Sequence, residues 1–202
     1  MVFMKLDVPF YRQTGIVNCG TTVLRMVLNY LGGNFDLDII ELKARIKDGK
    51  GIFTTQLSVA ARELGYGAEL HSIDETFNED NMKEDFYKKF ADSEFSKGIT
   101  GWNNRAKKLG VNFSDKSFKI DEIISRLSKW SVPIVLIDWN IIKGKAGYKG
   151  HFVPLVGFDK ENVFIHNSGD DNGAFVKIPK KLFDEARNAN GTDEDILIIT
   201  KL

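Results

Sequence analysis

The chain has 202 residues, 28 Lys and Arg against 28 Asp and Glu, and a hydrophobic fraction of 43% that includes 15 Phe. That length suits one domain, or one domain carrying a large insertion, and the composition excludes collagen-like, low-complexity and extensively disordered classes. The balanced charge leaves no overall positive field for a polyphosphate, so no nucleic-acid partner is expected, and a single cysteine excludes a disulfide framework, a CxxC redox pair and a multi-cysteine zinc site.

Residues 1–10 are interrupted by Lys5, Asp7 and Pro9 and lack the apolar run of a signal peptide. No later run approaches the ~20 residues that span a bilayer, so a cytoplasmic protein with no membrane partner is expected. Val23, Leu24, Val27, Leu28 and Leu31 fall at helical spacings over residues 20–31, with Gly32-Gly33 as the stop. A second helix carries Leu57, Ala60, Ala61 and Leu64, ends at Gly65 and leads into an extended piece at residues 68–73. Residues 74–96, acidic with a stripe of Met82, Phe86, Phe90 and Phe95, predict a helix with a solvated face. Ile99, Trp102, Ala106 and Leu109 predict another short helix. Ile120, Ile123, Ile124, Leu127 and Trp130 mark the clearest amphipathic pattern.

The last third changes character. Residues 133–139, 151–158, 163–167, 174–178 and 195–200 are short β-branched and aromatic runs separated by turn residues, which predicts one antiparallel sheet, with a helix at 180–189 between its last two strands. Helices followed by strands give an α+β fold, the helical part packed on one face of the sheet. The chain reads as a single domain, residues 1–202, with a helical insertion at about 74–119. Asp138 and Asp159 read as solvated strand-end turns, and residues 170–173 (DDNG) as a hairpin turn, the spacing fitting no EF-hand. No metal or cofactor site is expected.

Chemistry concentrates around Cys19. It stands where a helix begins, and first-turn N–H groups with the helix dipole lower a thiol's pKa; rapid iodoacetamide labelling at pH 6–7 would be the signature. Gln13, six residues earlier, can donate to an oxyanion together with the Cys19 backbone N–H. His151 opens an apolar strand after Gly150, and Asn167 ends the next strand, where its carbonyl can accept the imidazole N–H and fix the tautomer. The two meet only if the strands are staggered. His166 is the rival, but alternation turns it to the opposite face from Asn167. Trp102, Trp130 and Trp139 are candidate cleft aromatics whose bland reading is core packing.

These blocks resemble a family. VPFYRQTGIVNCGTTVLRMVLNYLG (8–32) and GHFVPLVGFDKENVFIHNSG (150–169) resemble the Cys and His blocks of C39-type papain-like cysteine peptidases. The span from Cys19 to His151 and the middle segment resemble stand-alone C39-like proteins, a group that includes a guanylyl cyclase-like branch. The resemblance implies a papain-like fold, Cys19 as nucleophile, Gln13 in the oxyanion hole, His151 as general base and acid, and Asn167 as its orienter, where the family often has Asp-Pro. It implies a thiol hydrolase of a peptide, isopeptide or amide bond. An acyl transferase with the same thioester chemistry, a non-catalytic peptide-binding or ligand-binding module and a guanylyl cyclase-like protein are the alternatives. The partner expected is a peptide or amide-containing substrate; the sequence leaves the oligomeric state open.

Overall fold

The structure is a computed structural model. It describes residues 4–47, 49–75, 78–91, 95–169, 171 and 173–202. Among these, eight strands form a mostly antiparallel sheet: β1 (Met4–Lys5), β2 (Gly67–His71), β3 (Asn112–Ser114), β4 (Ser131–Asp138), β5 (Gly150–Phe158), β6 (Asn162–Asn167), β7 (Gly173–Pro179) and β8 (Ile196–Thr200). The strand order is β3-β2-β8-β4-β5-β6-β7, with β1 added to β5.

Helix α1 (Cys19–Tyr30) is buried along most of its length because Val23, Leu24, Met26, Val27 and Leu28 leave it no wide polar face. It stops where the Leu31 N–H closes on the Val27 carbonyl and Gly32 takes φ 104°, a left-handed angle a glycine adopts without strain. α2 (Leu37–Ala44), α3 (Thr54–Glu63), α4 (Asp85–Phe90), α5 (Phe95–Lys108), α6 (Ile120–Ser125), α7 (Trp139–Ile142) and α8 (Lys180–Arg187) complete the helices.

The α+β class holds, with corrections in detail. The sheet is not wholly antiparallel, nor drawn only from the last third: β3 runs parallel to β2, and β2 pairs with β8, so the segment after α3 widens the sheet. The region at 74–119 is therefore not purely helical. Its acidic part is broken into a 3-10 turn (Glu79–Lys83) and α4, because Glu84 takes an extended conformation between them. The side chain of Phe95 lies outside the described residues, as do Asp170 and Asn172 of the expected hairpin turn.

The amphipathic pattern at 120–130 yields helix only to Ser125. Ser128 and Ser131 bridge each other, and β4 starts at Ser131, so strand pairing takes the residues that periodicity alone would continue as helix. Trp130 is left exposed. α2 and β1 lie in stretches whose pattern predicts neither.

β4, β5 and β8 are the hydrophobic centre. Val135, Ile137, Val153 and Leu155 are fully buried, as expected for strands with both faces covered. Gly157 admits β1 at the edge of β5, since a Cβ there would stand 2.6 Å from the Met4 carbonyl oxygen. No helix among the described residues is long and apolar enough to cross a membrane.

Candidate active site

Cys19 is the first residue of α1, and the first intrahelical hydrogen bond runs from the Thr22 N–H to the Asn18 carbonyl. The N–H groups of Cys19, Gly20 and Thr21 thus have no acceptor within the helix and point toward its open end. The loop that leads to Cys19 is closed by Asn18, whose Oδ1 accepts from the Gly15 N–H (3.0 Å) and whose Nδ2 donates to Thr14 Oγ1 (2.9 Å). Gly20 fixes how closely α1 meets the sheet: a Cβ there would lie 3.0 Å from the Phe152 ring and 3.0 Å from Ile52.

Gln13 is held from two sides. Its backbone N–H donates to the Ser168 carbonyl (3.0 Å), and its Oε1 accepts from Ser168 Oγ (3.1 Å). With the oxygen engaged there, Nε2 faces the loop and donates to the Gly15 carbonyl (2.8 Å), leaving one N–H on that nitrogen for another acceptor.

His151 and Asn167 meet. His151 Nε2 lies 2.9 Å from Asn167 Oδ1. The Asn167 amide has one reasonable orientation, because its Nδ2 donates to the Asp171 carbonyl (3.0 Å) and its Oδ1 also accepts from the Gly169 N–H (2.9 Å). The imidazole therefore carries its proton on Nε2, and Nδ1 is the basic nitrogen. The stagger this contact needs is supplied by register shifts: β5 and β6 slip between Leu155 and Gly157, and β6 and β7 slip between Ile165 and Asn167.

His166 faces elsewhere, as alternation requires. Its Nε2 donates to the Val8 carbonyl (2.8 Å), and its Nδ1 accepts from the N–H of Phe175, a residue at φ 56°. It ties the N-terminal arm to the bulge in β7.

Trp139 packs on His151 with ring centroids 5.5 Å apart and lines the cleft. Trp102 packs half-buried on the core, and Trp130 points to solvent. Asp138 is not a solvated turn residue: it is 5% exposed, and its Oδ1 accepts from the N–H groups of Asn140 and Lys149, which anchors the loop before β5. Asp159 does occupy a turn, accepting from the N–H groups of Glu161 and Asn162.

The electrostatics differ from the expectation drawn from the helix start alone. Burial pushes the Cys19 thiol up, and backbone hydrogen bonds from Phe152, Gly20 and Cys19 itself, with the nearby Lys149 charge, only partly oppose this. Burial also drives His151 down to about 4, against the hydrogen bond to Asn167. At neutral pH Cys19 rests as a thiol and His151 as a neutral imidazole, since desolvation of a fully enclosed charge outweighs a helix terminus worth about 0.3–1 kcal/mol.

The cleft itself has a volume of about 550 Å³, with Gln13, Trp139, His151 and Asn167 on its walls and Lys89 and Lys149 beside them. Among the described residues, no group of three or more His, Cys, Asp or Glu side chains is gathered as for a metal ion. Sequence reasoning missed Asn18, Phe152 and the part played by Ser168. Only Ser168, adjacent to Asn167, offered a signal.

A family profile described as guanylylate cyclase matches residues 8–199. The chain belongs to that family. A curated relative, guanylyl cyclase 1 of Arabidopsis thaliana, is 24% identical over 210 residues, covering 96% of this chain and 76% of the relative. Among solved structures, this family member is similar to a double-glycine motif protease from an AMS/PCAT transporter in complex with its leader peptide (TM-score 0.58, 17% identity, 100% of both chains). It is also similar to the peptidase domain of Streptococcus ComA (0.56, 13%, 97% of this chain and 100% of that one) and to a C39-like peptidase from Bacillus anthracis (0.56, 17%, 100% and 99%). The fold is that of the C39 papain-like peptidases.

Proposed function

We propose that this chain is a thiol hydrolase acting on a peptide, isopeptide or amide carbonyl. The observation that carries the reading is the buried His151–Asn167 hydrogen bond, which leaves Nδ1 as the base in a cleft beside the helix that begins at Cys19. Sγ attacks the carbonyl carbon as its proton passes to His151 Nδ1. The Cys19 N–H and the free N–H of Gln13 Nε2 receive the negative charge on the oxygen. His151 then returns the proton to the leaving amine, and a thioester remains on Cys19. Water closes the cycle as hydrolysis; an amine in its place makes it acyl transfer. Both groups start neutral, so proton transfer accompanies attack and no resting ion pair is needed.

The test is turnover of fluorogenic peptide and amide substrates by the full chain. Cys19→Ala and Cys19→Ser each reduce it at least about 10³-fold while circular dichroism is unchanged. Turnover that survives both substitutions would falsify the thiol reading.

A second reading follows the family's name. The cleft volume and its aromatic walls at Phe86, Phe90 and Trp139 suit a nucleotide base, while Lys89 and Lys149 are balanced by Asp85 and Asp171 on the same walls. It predicts divalent-cation-dependent formation of cyclic GMP from GTP that persists in Cys19→Ser.

A further inference from the structure

The turn after β6 holds a carboxylate that the mechanism above does not use. Asn167 and Gly173 are register partners, so the turn between them closes beside the His151–Asn167 hydrogen bond. Gly169 shows how close it comes: its N–H donates to Asn167 Oδ1 (2.9 Å), and a Cβ there would stand 3.1 Å from that oxygen and 3.7 Å from the His151 ring. Asp171 follows in the same turn and lines the cleft with His151 and Asn167. The Asn167 amide spans the two, with Oδ1 on the imidazole and Nδ2 donating to the Asp171 carbonyl (3.0 Å). The Asp171 side chain is fixed by Lys143, whose Nζ lies 2.5 Å from Oδ2. Resting on the thiol reading above, we propose that Asp171 is a positioning residue for His151: its carboxylate, acting through the Asn167 amide, supplies the negative charge that favours the imidazolium and that an asparagine cannot provide.

The need for that charge comes from burial. His151 accepts the Cys19 proton in a place that desolvates the resulting cation, and a carboxamide orients the ring but offers it only a dipole. Of the charges around the imidazole, Lys149 disfavours its protonation and Asp171 favours it. The Asp171 carboxyl is itself held below its ordinary range, first by Lys143 and less strongly by the Asn167 amide, so it stays ionised at neutral pH. An amide bonded at both ends is polarised along the chain, which carries the effect toward the ring. The other titratable groups on the surrounding elements are Cys19 on α1, Asp85 and Lys89 on α4, Asp138 at the end of β4 and Tyr148 before β5. Asp85 is paired with Lys88 (2.9 Å), and Asp138 accepts from two backbone N–H groups. Among the described residues, Asp171 is the acid joined to Asn167.

A purely structural tie is the competing role, since the Lys143–Asp171 pair also joins the β6–β7 turn to the C-terminal cap of α7. The two roles differ in sign. Removing either partner breaks the tie, so a structural role makes Asp171→Asn and Lys143→Met act alike. An electrostatic role makes them act oppositely, because one removes a negative charge and the other a positive one. Asp171 is half-exposed, so solvent screens its field and the effects are modest.

Nuclear magnetic resonance titration of the His151 ring in the full chain, together with turnover of the fluorogenic substrates, tests this. Asp171→Asn keeps the carbonyl that Asn167 uses and lowers the His151 titration midpoint by at least about 0.3 in pH, a twofold change in proton affinity; Lys143→Met raises it by a similar amount. At pH 7, kcat falls about three- to tenfold in Asp171→Asn with KM changed less than about twofold, and Asp171→Glu recovers most of the loss. In Lys143→Met kcat is kept or raised. Midpoints that move in the same direction in Asp171→Asn and Lys143→Met, or that move in neither, overturn the proposal. If acid unfolds Asp171→Asn before its midpoint is reached, Lys143→Met decides: a raised midpoint supports the role and an unchanged or lowered one overturns it. Turnover separates the two ideas. Opposite midpoint shifts without Cys19-dependent turnover keep the coupling of Asp171 to His151 and remove the thiol reading; Cys19-dependent turnover with unmoved midpoints does the reverse.

Discussion

The two parts of the candidate site are built by different physics. Cys19 is placed by a helix start, where an apolar repeat, a following glycine and the Asn18-closed loop all lie within about fifteen residues of one another. His151 and Asn167 are placed by strand register, which depends on slips in two separate ladders and on an amide whose orientation is set by Asp171 and Gly169. A locally built wall tolerates change elsewhere in the chain. A wall built by register fails together, because a one-residue slip turns every side chain to the other face.

The largest expected effect joins the two walls. Gly20→Val places methyl groups against the Phe152 ring and Ile52, pushing α1 off β5. It costs about 1–3 kcal/mol of stability by overpacking, and a displacement of ~1 Å between nucleophile and base lowers kcat about 10²-fold. Chemical denaturation and turnover check it; unchanged values for both would mean that Gly20 does not set the approach.

Next is Asn167→Ala, which releases the His151 tautomer while sparing the Cys19 wall. kcat falls by roughly 10²-fold with little change in KM, and labelling of Cys19 in strong alkali is unaffected. An equal loss through KM would instead mark Asn167 as a substrate contact.

The pH behaviour follows from burial on the strand side. His151 titrates at 6.5 when free and at about 4 in the fold, so between those values the unfolded chain binds a proton that the folded chain refuses. Its contribution to stability is present above pH 6.5 and is lost as the pH falls toward 4, to a total of about 3 kcal/mol. Burial pushes the Asp195 carboxyl up to about 7, which contributes in the opposite sense over the same range, so the slope is read as the difference in denaturant midpoint between the unsubstituted chain and His151→Gln over pH 4–7. On the helix side the raised thiol means that iodoacetamide labelling of native Cys19 accelerates only in alkali. Rapid labelling at pH 6–7 would show that the helix start outweighs burial after all.

The smallest effect is at the seam. Ser168→Ala removes the hydroxyl that holds Gln13 Oε1, costing about 1 kcal/mol and a few-fold in kcat as the oxyanion donor loosens. A Gln13→Ala, Ser168→Ala double variant no worse than Gln13→Ala alone identifies Ser168 as acting through Gln13.

The local wall was the legible one. The repeat from Val23 to Leu31 with its glycine stop places Cys19 at a helix start without any tertiary information, and the strand runs at 151–158 and 163–167 are visible in composition. His151 and Asn167 were readable as residues but not as a pair, since their contact needs bulges that no local pattern encodes. Asn18 went unseen, and Asp138 was read as a solvated turn, because their work is to accept backbone N–H groups of loops whose path is set by the fold. Trp130 was misplaced for a related reason: β4 pairing begins earlier than the helical pattern ends.

The solitary cysteine, the balanced charge, the α+β order of elements and the helix start at Cys19 were determined by the sequence alone, because each depends on composition or on residues a few positions apart. The tertiary structure decided the strand slips that join His151 to Asn167 and the protonation of the site. Those rest on burial and on contacts that range from 16 positions apart, for His151 and Asn167, to more than a hundred, for Cys19 beside Phe152. The dipole that would ionise the thiol is readable in a helix start; the desolvation that overrides it exists only once the sheet has closed around the sulfur.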